Sequence, residues 1–273
     1  MKSQQILLMS LFILLLVTNC NTGKQSVELP TVSEIDQRFM SHISGFSGGL
    51  LSKKSDIVIE LSEAYHEMKA MGEALPNDLF TFEPKIDGTI IWDNPYTVRF
   101  VPTSELPSGT VYDAQFDLGK IKTVDDELKQ FQFYFKTKDL VIQLVYDQFN
   151  NIGDDYVEVQ GSVIATDVID TAALFNAVKM NYKGASIGLK WSVGKGNVHR
   201  FVSDRVLRND AETKMQLSGD KAFFGSSIQH DIVVPAKGEF KLIRATTSTK
   251  GAQHAPLVFS EELDPMQDIE GLV

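Results

Sequence analysis

Residues 96–118 read YTVRFVPTSELPSGTVYDAQFDL, and this stretch decides the fold class. Tyr96, Val98 and Phe100 alternate with Thr97 and Arg99, the period-two pattern of a half-buried strand. Tyr112, Ala114, Phe116 and Leu118 alternate with Asp113, Gln115 and Asp117, which predicts a second strand with one dry face. Leu106-Pro107-Ser108-Gly109-Thr110 between them carries the turn chemistry for a crossing from one sheet to another. Pro107 fixes φ, and Gly109 is free to take a positive φ. Tyr112 is placed as the tyrosine of a tyrosine corner, its hydroxyl reaching back to upstream backbone; the other reading is an ordinary core tyrosine in a hairpin. Both readings put the stretch in an antiparallel β-sandwich.

Working outward, Asp56 to Ser62, Leu79 to Pro84, Gly88 to Trp92 and Phe131 to Phe135 supply further short strands with Gly and Pro punctuation. Trp92 and Phe100 read as core, and Phe131, Phe133 and Phe135 share one face. These strands define a first domain over residues 45–138. A second, residues 139–246, is built from Leu140 to Val145, Tyr156 to Ile164, Ile187 to Val193, His199 to Val202, Thr213 to Leu217 and Ile228 to Val234. Asp170 is an N-cap for a short helix, Thr171 to Met180, that interrupts it and presents Leu174, Phe175 and Val178 on one side. Phe240 to Ile243 and Leu257 to Glu261 read as strands of a third unit, and residues 247–273 as its incomplete start. Ile59-Glu60-Leu61-Ser62-Glu63 is echoed by Val258-Phe259-Ser260-Glu261-Glu262, as in a repeating array of modules. The fold class is therefore all-β: tandem Ig-like antiparallel sandwiches, the second with a short helical insertion.

The 273 residues are 43% hydrophobic and 23% charged, the balance of a globular chain. A net charge of -10 with a pI near 5.0 excludes nucleic acid as the expected partner, because nothing neutralises phosphates. The first twenty residues differ. Lys2 precedes an apolar run from Ile6 to Val17, and Thr18-Asn19-Cys20 closes it, the layout of a secretory signal. Cys20 is the one cysteine of the chain, and a lone thiol at a cleavage point suits lipid attachment; a buried cysteine in a short apolar helix is the other reading. Val17-Thr18-Asn19-Cys20 resembles a bacterial lipobox, which implies cleavage between Asn19 and Cys20 and acylation of Cys20. Asn21 and the absence of a following acidic run point to an outer-membrane anchor facing the periplasm. Residues 21–44 read as a tether, within which Ile35, Phe39, His42 and Ile43 have the spacing of a short helix.

Five histidines stand singly, without metal-ligand pairing, and His42 reads as a helix-face residue. Asp125-Asp126-Glu127 and Asp154-Asp155 are either calcium ligands between domains or solvated loops; they lack the alternation of a dedicated calcium loop. No G-x-S-x-G, phosphate-cradling loop or paired cysteine occurs, so the sequence predicts no catalytic residue, no cofactor and no metal.

Asp78-Leu79-Phe80-Thr81-Phe82-Glu83-Pro84, Gly161 to Phe175 and His199-Arg200-Phe201 resemble segments of bacterial alpha-2-macroglobulin-family lipoproteins. So do Val234 to Lys241 and Phe259 to Asp268, the most specific of the set. The segments run in the family's order from about residue 45 onward. The resemblance implies macroglobulin-like sandwiches in the N-terminal arm of a periplasmic protease inhibitor, a proteinase trap. Its partners would be endoproteases, engaged through domains beyond this chain, and a membrane through the lipid; cell-wall synthesis proteins are a further candidate class. No Cys-x-Glu-Gln thioester motif occurs, and Cys20 is followed by Asn21-Thr22-Gly23. The second functional reading is an envelope Ig-like lipoprotein module that binds a protein or polysaccharide. Mass spectrometry of the mature N-terminus is expected to find acylated Cys20; an unmodified thiol or cleavage elsewhere would remove the anchor.

Overall fold

The computed structural model describes residues 35–65, 70–194, 196–245, 255, 257–261, 263 and 266. Asn19, Cys20 and residues 21–34 of the tether lie outside the described residues, as do His66, His254 and Leu272.

The first sandwich contains β1 (Ile43–Phe46), β2 (Gly49–Leu51), β3 (Ile57–Leu61), β4 (Ala74–Leu75), β5 (Phe80–Glu83), β6 (Gly88–Asn94), β7 (Thr97–Pro102), β8 (Val111–Asp117) and β9 (Gln130–Thr137). One sheet has the order β1-β3-β7-β6-β4 and the other β2-β9-β8-β5. With β1, β3, β5, β6, β7, β8 and β9 as the seven main strands, this is the immunoglobulin arrangement. All pairings are antiparallel except β2 with β9, where Gly49 lies beside Phe135. The initial strand thus changes sheets between β1 and β2.

Period-two patterning places the aromatic side chains inside. Phe80, Phe116 and Phe131 form one row across three strands, and Phe82, Ala114 and Phe133 form the next. The small Ala114 between two large rings lets Phe82 reach Phe100 of the facing sheet, with ring centroids 4.7 Å apart. The Leu106–Thr110 crossing links β7 to β8 in the other sheet, as the sequence predicts. Gly109 has φ +69°, and a Cβ there would run into the Asp139 carboxylate.

Three local expectations fail here. Tyr96 lies outside the strand and is 51% exposed, because its N–H is taken by the Asn94 Oδ1 in an Asx-type turn. Tyr112 is buried and stacks on Phe135 at 5.0 Å, and burial pushes its phenol pKa up. No hydrogen bond to its hydroxyl is present among the described residues, so it is the core tyrosine and not the corner. Phe39 and Ile43, assigned to the tether, belong to the first core. The helical spacing there becomes a 3₁₀ turn, Gln37–Ser41, that turns Phe39 onto Phe131.

The second sandwich contains β10 (Ile142–Ile152), β11 (Tyr156–Ala165), β12 (Val178–Tyr182), β13 (Ala185–Ile187), β14 (Leu189–Val193), β15 (Val198–Ser203), β16 (Val206–Leu207), β17 (Thr213–Gly219) and β18 (Ile228–Val234). Its sheets are β10-β11-β15-β14, with β16 on β11, and β13-β12-β17-β18. This is the same immunoglobulin order around a separate core of Val157, Val159, Val163, Phe201, Met180, Met215 and Leu217 among others. Asp170 caps the inserted helix by accepting from Ala172 N and Ala173 N. The helix covers Thr171–Ala177, short of the predicted Met180. Val178, Met180 and Tyr182 are buried alternately as β12, so tertiary packing and the β-branched Val178 override the helical spacing.

Here a tyrosine does hold distant backbone. Tyr182 Oη lies 3.2 Å from Leu207 O and 2.9 Å from Thr213 Oγ1, and accepts from Asn209. The region expected to open a third sandwich is a hairpin, β19 (Leu242–Ala245) with β20 (Leu257–Phe259). Val258 and Phe259 are half-buried, Leu257 and Leu263 are exposed, and Ile243 packs against the second core.

Stability measurements separate the two tyrosines. Tyr112→Phe should change unfolding free energy by less than about 0.5 kcal/mol, whereas Tyr182→Phe should cost about 1–2 kcal/mol through its lost partners. Phe116→Ala should cost about 3–5 kcal/mol by opening the Phe80–Phe131 row. Equal effects of the two tyrosine changes would refute the assignment.

Candidate functional site

The predicted site residues Asn19 and Cys20 lie outside the described residues, so their placement rests on sequence. The acidic clusters are engaged with cations of the chain itself. Asp126 pairs with Lys129 at 2.5 Å, Glu127 with Arg38 at 2.6 Å, and Asp155 with Lys237. Among the described residues, no group of three His, Cys, Asp or Glu side chains could hold a metal ion, and no helix is long and apolar enough to cross a membrane. His42, His199 and His230 sit on different elements. A cleft of about 470 Å³ is lined by Glu63, Tyr65, Lys120 and Lys122 among others, but Lys120 pairs with Asp78 and Lys122 with Glu63.

The distinctive polar chemistry lies instead at the joints between modules. Both sandwiches belong to one compact unit. Asp167, two residues past β11, is 1% exposed. Its carboxylate accepts from Ser52 Oγ at 2.6 Å and Lys53 N at 2.7 Å, both in the first sandwich, and from its neighbour Val168 N at 2.8 Å. Burial alone would push this carboxyl up. The donors from Ser52, Lys53 and Val168, with the charge of Lys138, outweigh that and hold it below the usual aspartate value.

The linker is hydrogen-bonded on both sides. Thr137 is fully buried; its Oγ1 donates to Pro107 O at 2.6 Å and accepts from Thr110 N at 2.9 Å. Lys138 N donates to Leu51 O, and Lys138 O accepts from Gly109 N. Thr166 Oγ1 donates to Asp139 O at 2.6 Å and accepts from Val141 N at 2.9 Å. Residues 137–141 therefore have little freedom to swing.

A second node joins the second sandwich to the hairpin. The Arg208 side chain is fully buried and pairs with Glu261 at 2.7 Å. Its guanidinium also donates to Ala236 O at 2.7 Å and Ser260 O at 3.2 Å. Ser260 is fully buried, and its carbonyl also accepts from Asn151 Nδ2 at 2.8 Å. Arg244 donates to Asp147 O, at the register shift of β10 between Tyr146 and Gln148. The bulge leaves that carbonyl out of the ladder, and the guanidinium takes it up.

Sequence reading singled out none of Ser52, Asp167 and Arg208 individually. Asp167 lies in the segment Gly161 to Phe175, three residues before the Asp170 cap, and the segments 234–241 and 259–268 meet at Arg208.

No family model matches the chain, and no curated protein matches it. Solved structures with some likeness include L,D-transpeptidase 3 from Mycobacterium tuberculosis in complex with a faropenem-derived adduct, at 13% identity and TM-score 0.26, covering 44% of this chain and 46% of that one. An L,D-transpeptidase from Mycobacterium tuberculosis H37Rv matches at 12% identity and TM-score 0.26, over 56% of this chain and 64% of that one. Domains 4-9 of the surface layer protein SbsC match at 13% identity and TM-score 0.22, over 75% of this chain and 32% of that one. The chain thus spans less than two thirds of each of these three. Likeness at these values bears on neither activity nor partners.

The Asp167 joint makes a pH prediction. A carboxyl held low in the folded state contributes stability that is present above the unfolded value, about 3.9, and is lost as pH falls through the folded value. Below about pH 4 the two sandwiches should begin to tumble independently while each stays folded. Asp167→Ala should produce the same uncoupling at neutral pH by stranding three donors, at a cost of about 1–3 kcal/mol. NMR relaxation checks this: a single correlation time retained by the variant would mean that Asp167 is not the joint.

Proposed function

We propose that this chain is the membrane-anchored structural arm of an alpha-2-macroglobulin-like protease inhibitor of the bacterial periplasm. In this reading Cys20 carries the lipid, residues 21–34 form the tether, and the sandwiches set the distance and orientation of the trap from the membrane. The observation that carries it is the Asp167 joint, a buried carboxylate satisfied from both modules at once. A spacer must resist bending, and a junction saturated with directional hydrogen bonds does so. The sequence adds the absence of any Cys-x-Glu-Gln motif, so the arm would not itself capture a protease.

The second reading, an envelope module that binds polysaccharide or protein, has one observation in its favour. The outer face of β5, β8 and β9 carries a groove of about 330 Å³ lined by Thr81, Glu83, Asp113, Gln115 and Gln132, a set rich in hydrogen-bonding groups.

Incubation of purified residues 21–273 with serine, cysteine and metallo-endoproteases distinguishes the roles. The expected result is no stoichiometric inhibition and no covalent adduct, together with a rigid two-sandwich envelope in small-angle X-ray scattering. Inhibition or an adduct would mean that the working part of the trap lies within this chain. A scattering profile of freely jointed modules would remove the spacer role.

A further inference from the structure

We propose that the groove on the outer face of β5, β8 and β9 binds a neutral polysaccharide strand, with Thr81, Glu83, Asp113, Gln115 and Gln132 as its hydrogen-bonding groups. The inference rests on the second functional reading above and gives it a ligand class and named residues.

Strand register assembles the site. Thr81, Gln115 and Gln132 stand opposite one another on β5, β8 and β9, and Glu83 stands opposite Asp113 one row along. Period-two alternation turns these side chains outward, while Phe80, Phe82, Phe116, Phe131 and Phe133 of the same strands are buried beneath them. The core therefore fixes the backbone under the groove, and a ligand meets polar groups on a rigid support.

Those polar groups are uncommitted. Among the described residues, none of the five side chains makes a hydrogen bond or an ion pair. Elsewhere the first sandwich pairs its acids with its own cations: Asp78 with Lys120, Glu105 with Lys53, and both Asp56 and Asp93 with Arg99. The outer face of β17 and β18 is also rich in amides, but it is closed on itself. Gln216 and Gln229 both donate to Asp231 Oδ1, at 3.4 and 3.1 Å. Glu83 and Asp113 instead face each other without a cation, and like charges directly opposite on a sheet cost stability. Local arrangements that lower stability without an internal gain are a mark of functional sites.

The ligand class follows from the groups themselves. Ionised carboxylates only accept hydrogen bonds, whereas Gln amides and a Thr hydroxyl both donate and accept. Together they match the adjacent hydroxyls of a sugar, which need acceptors for their protons and donors for their oxygens. No Lys or Arg lines the groove, so an acidic glycan would meet the two carboxylates uncompensated. A metal ion would find no third protein carboxylate or imidazole among the described residues. A basic peptide would use Glu83 and Asp113 and leave the neutral row Thr81–Gln115–Gln132 without a role. A groove of about 330 Å³ lies at the small end of ligand sites and takes a short stretch of a longer chain.

Titration of the full chain with chitohexaose in its N-acetylated form, cellohexaose and maltohexaose, followed by two-dimensional NMR, tests this. Backbone shifts on β5, β8 and β9 should saturate for at least one of the three with a Kd of about 1 mM. Asp113→Ala and Gln115→Ala should each weaken that binding about tenfold or more, while Gln216→Ala in the second sandwich leaves it unchanged. Asp113→Ala should also keep or raise the melting temperature by relieving the like-charge pair, which separates lost binding from lost fold. Asp113 is exposed, so if Gln115→Ala fails to fold, Asp113→Ala decides by itself. Shifts confined to other elements, or binding that survives both changes, would overturn this site and leave the envelope-module reading standing. Shifts at Glu83 and Asp113 with calcium alone, or with a lysine hexapeptide and none of the glycans, would overturn the ligand class. No shift with any of these probes would overturn the site and remove the one observation favouring the second reading.

Discussion

A carboxylate that leaves water loses its hydration, and only hydrogen bonds aimed at its oxygens offset that loss. Asp167 meets the condition with donors from two bodies: Ser52 and Lys53 belong to the first sandwich and Val168 to the second. The bonds are short and directional, so they are all made in one relative placement of the modules. Thr137 and Thr166 hold the two ends of the linker with neutral groups, each hydroxyl donating to one carbonyl and accepting from an amide on its own side. The relative placement of the two sandwiches is held at these few contacts.

The Arg208 node applies the same logic with opposite charge. A fully buried guanidinium draws carbonyls from the loop after β18 and from Ser260, and its carboxylate partner is Glu261. Buried ion pairs are not efficient stabilisers, since desolvation consumes much of the attraction, but removing one partner is costly. What they supply is registry. An apolar surface in place of Arg208 and Glu261 would hold the hairpin through area alone and would tolerate sliding. The charge pair, with Asn151 reading the same Ser260 carbonyl, does not.

Strands and cores were legible in sequence because their signal is local. Phe131, Phe133 and Phe135, or Ile57, Ile59 and Leu61, declare a buried face within a few residues. Failures came where a distant partner decides. Val178 continues a helical spacing yet begins β12, because the facing Gly219 offers a strand to pair with. Tyr112 and Tyr182 both lie in strands with alternating burial, and only the fold reveals which hydroxyl finds Leu207 and Thr213. The joints were the least legible. Asp167 and Ser52 are 115 residues apart, and a single aspartate after a strand looks like any loop acid. Asp170 was found because its cap lies within three residues of it.

These observations separate two physical roles within one chain. Foldedness resides in two apolar cores, each closed by its own pair of sheets and sharing no buried residue. Orientation resides in a few polar contacts between them. Core truncations cost several kcal/mol, whereas a satisfied hydrogen bond contributes about one. The joints are therefore the first elements to yield under acid, denaturant or force, and they yield without unfolding what they connect. Two sandwiches joined this way bend first at the joint, and a single carboxylate can alter the angle between them while leaving every sheet intact.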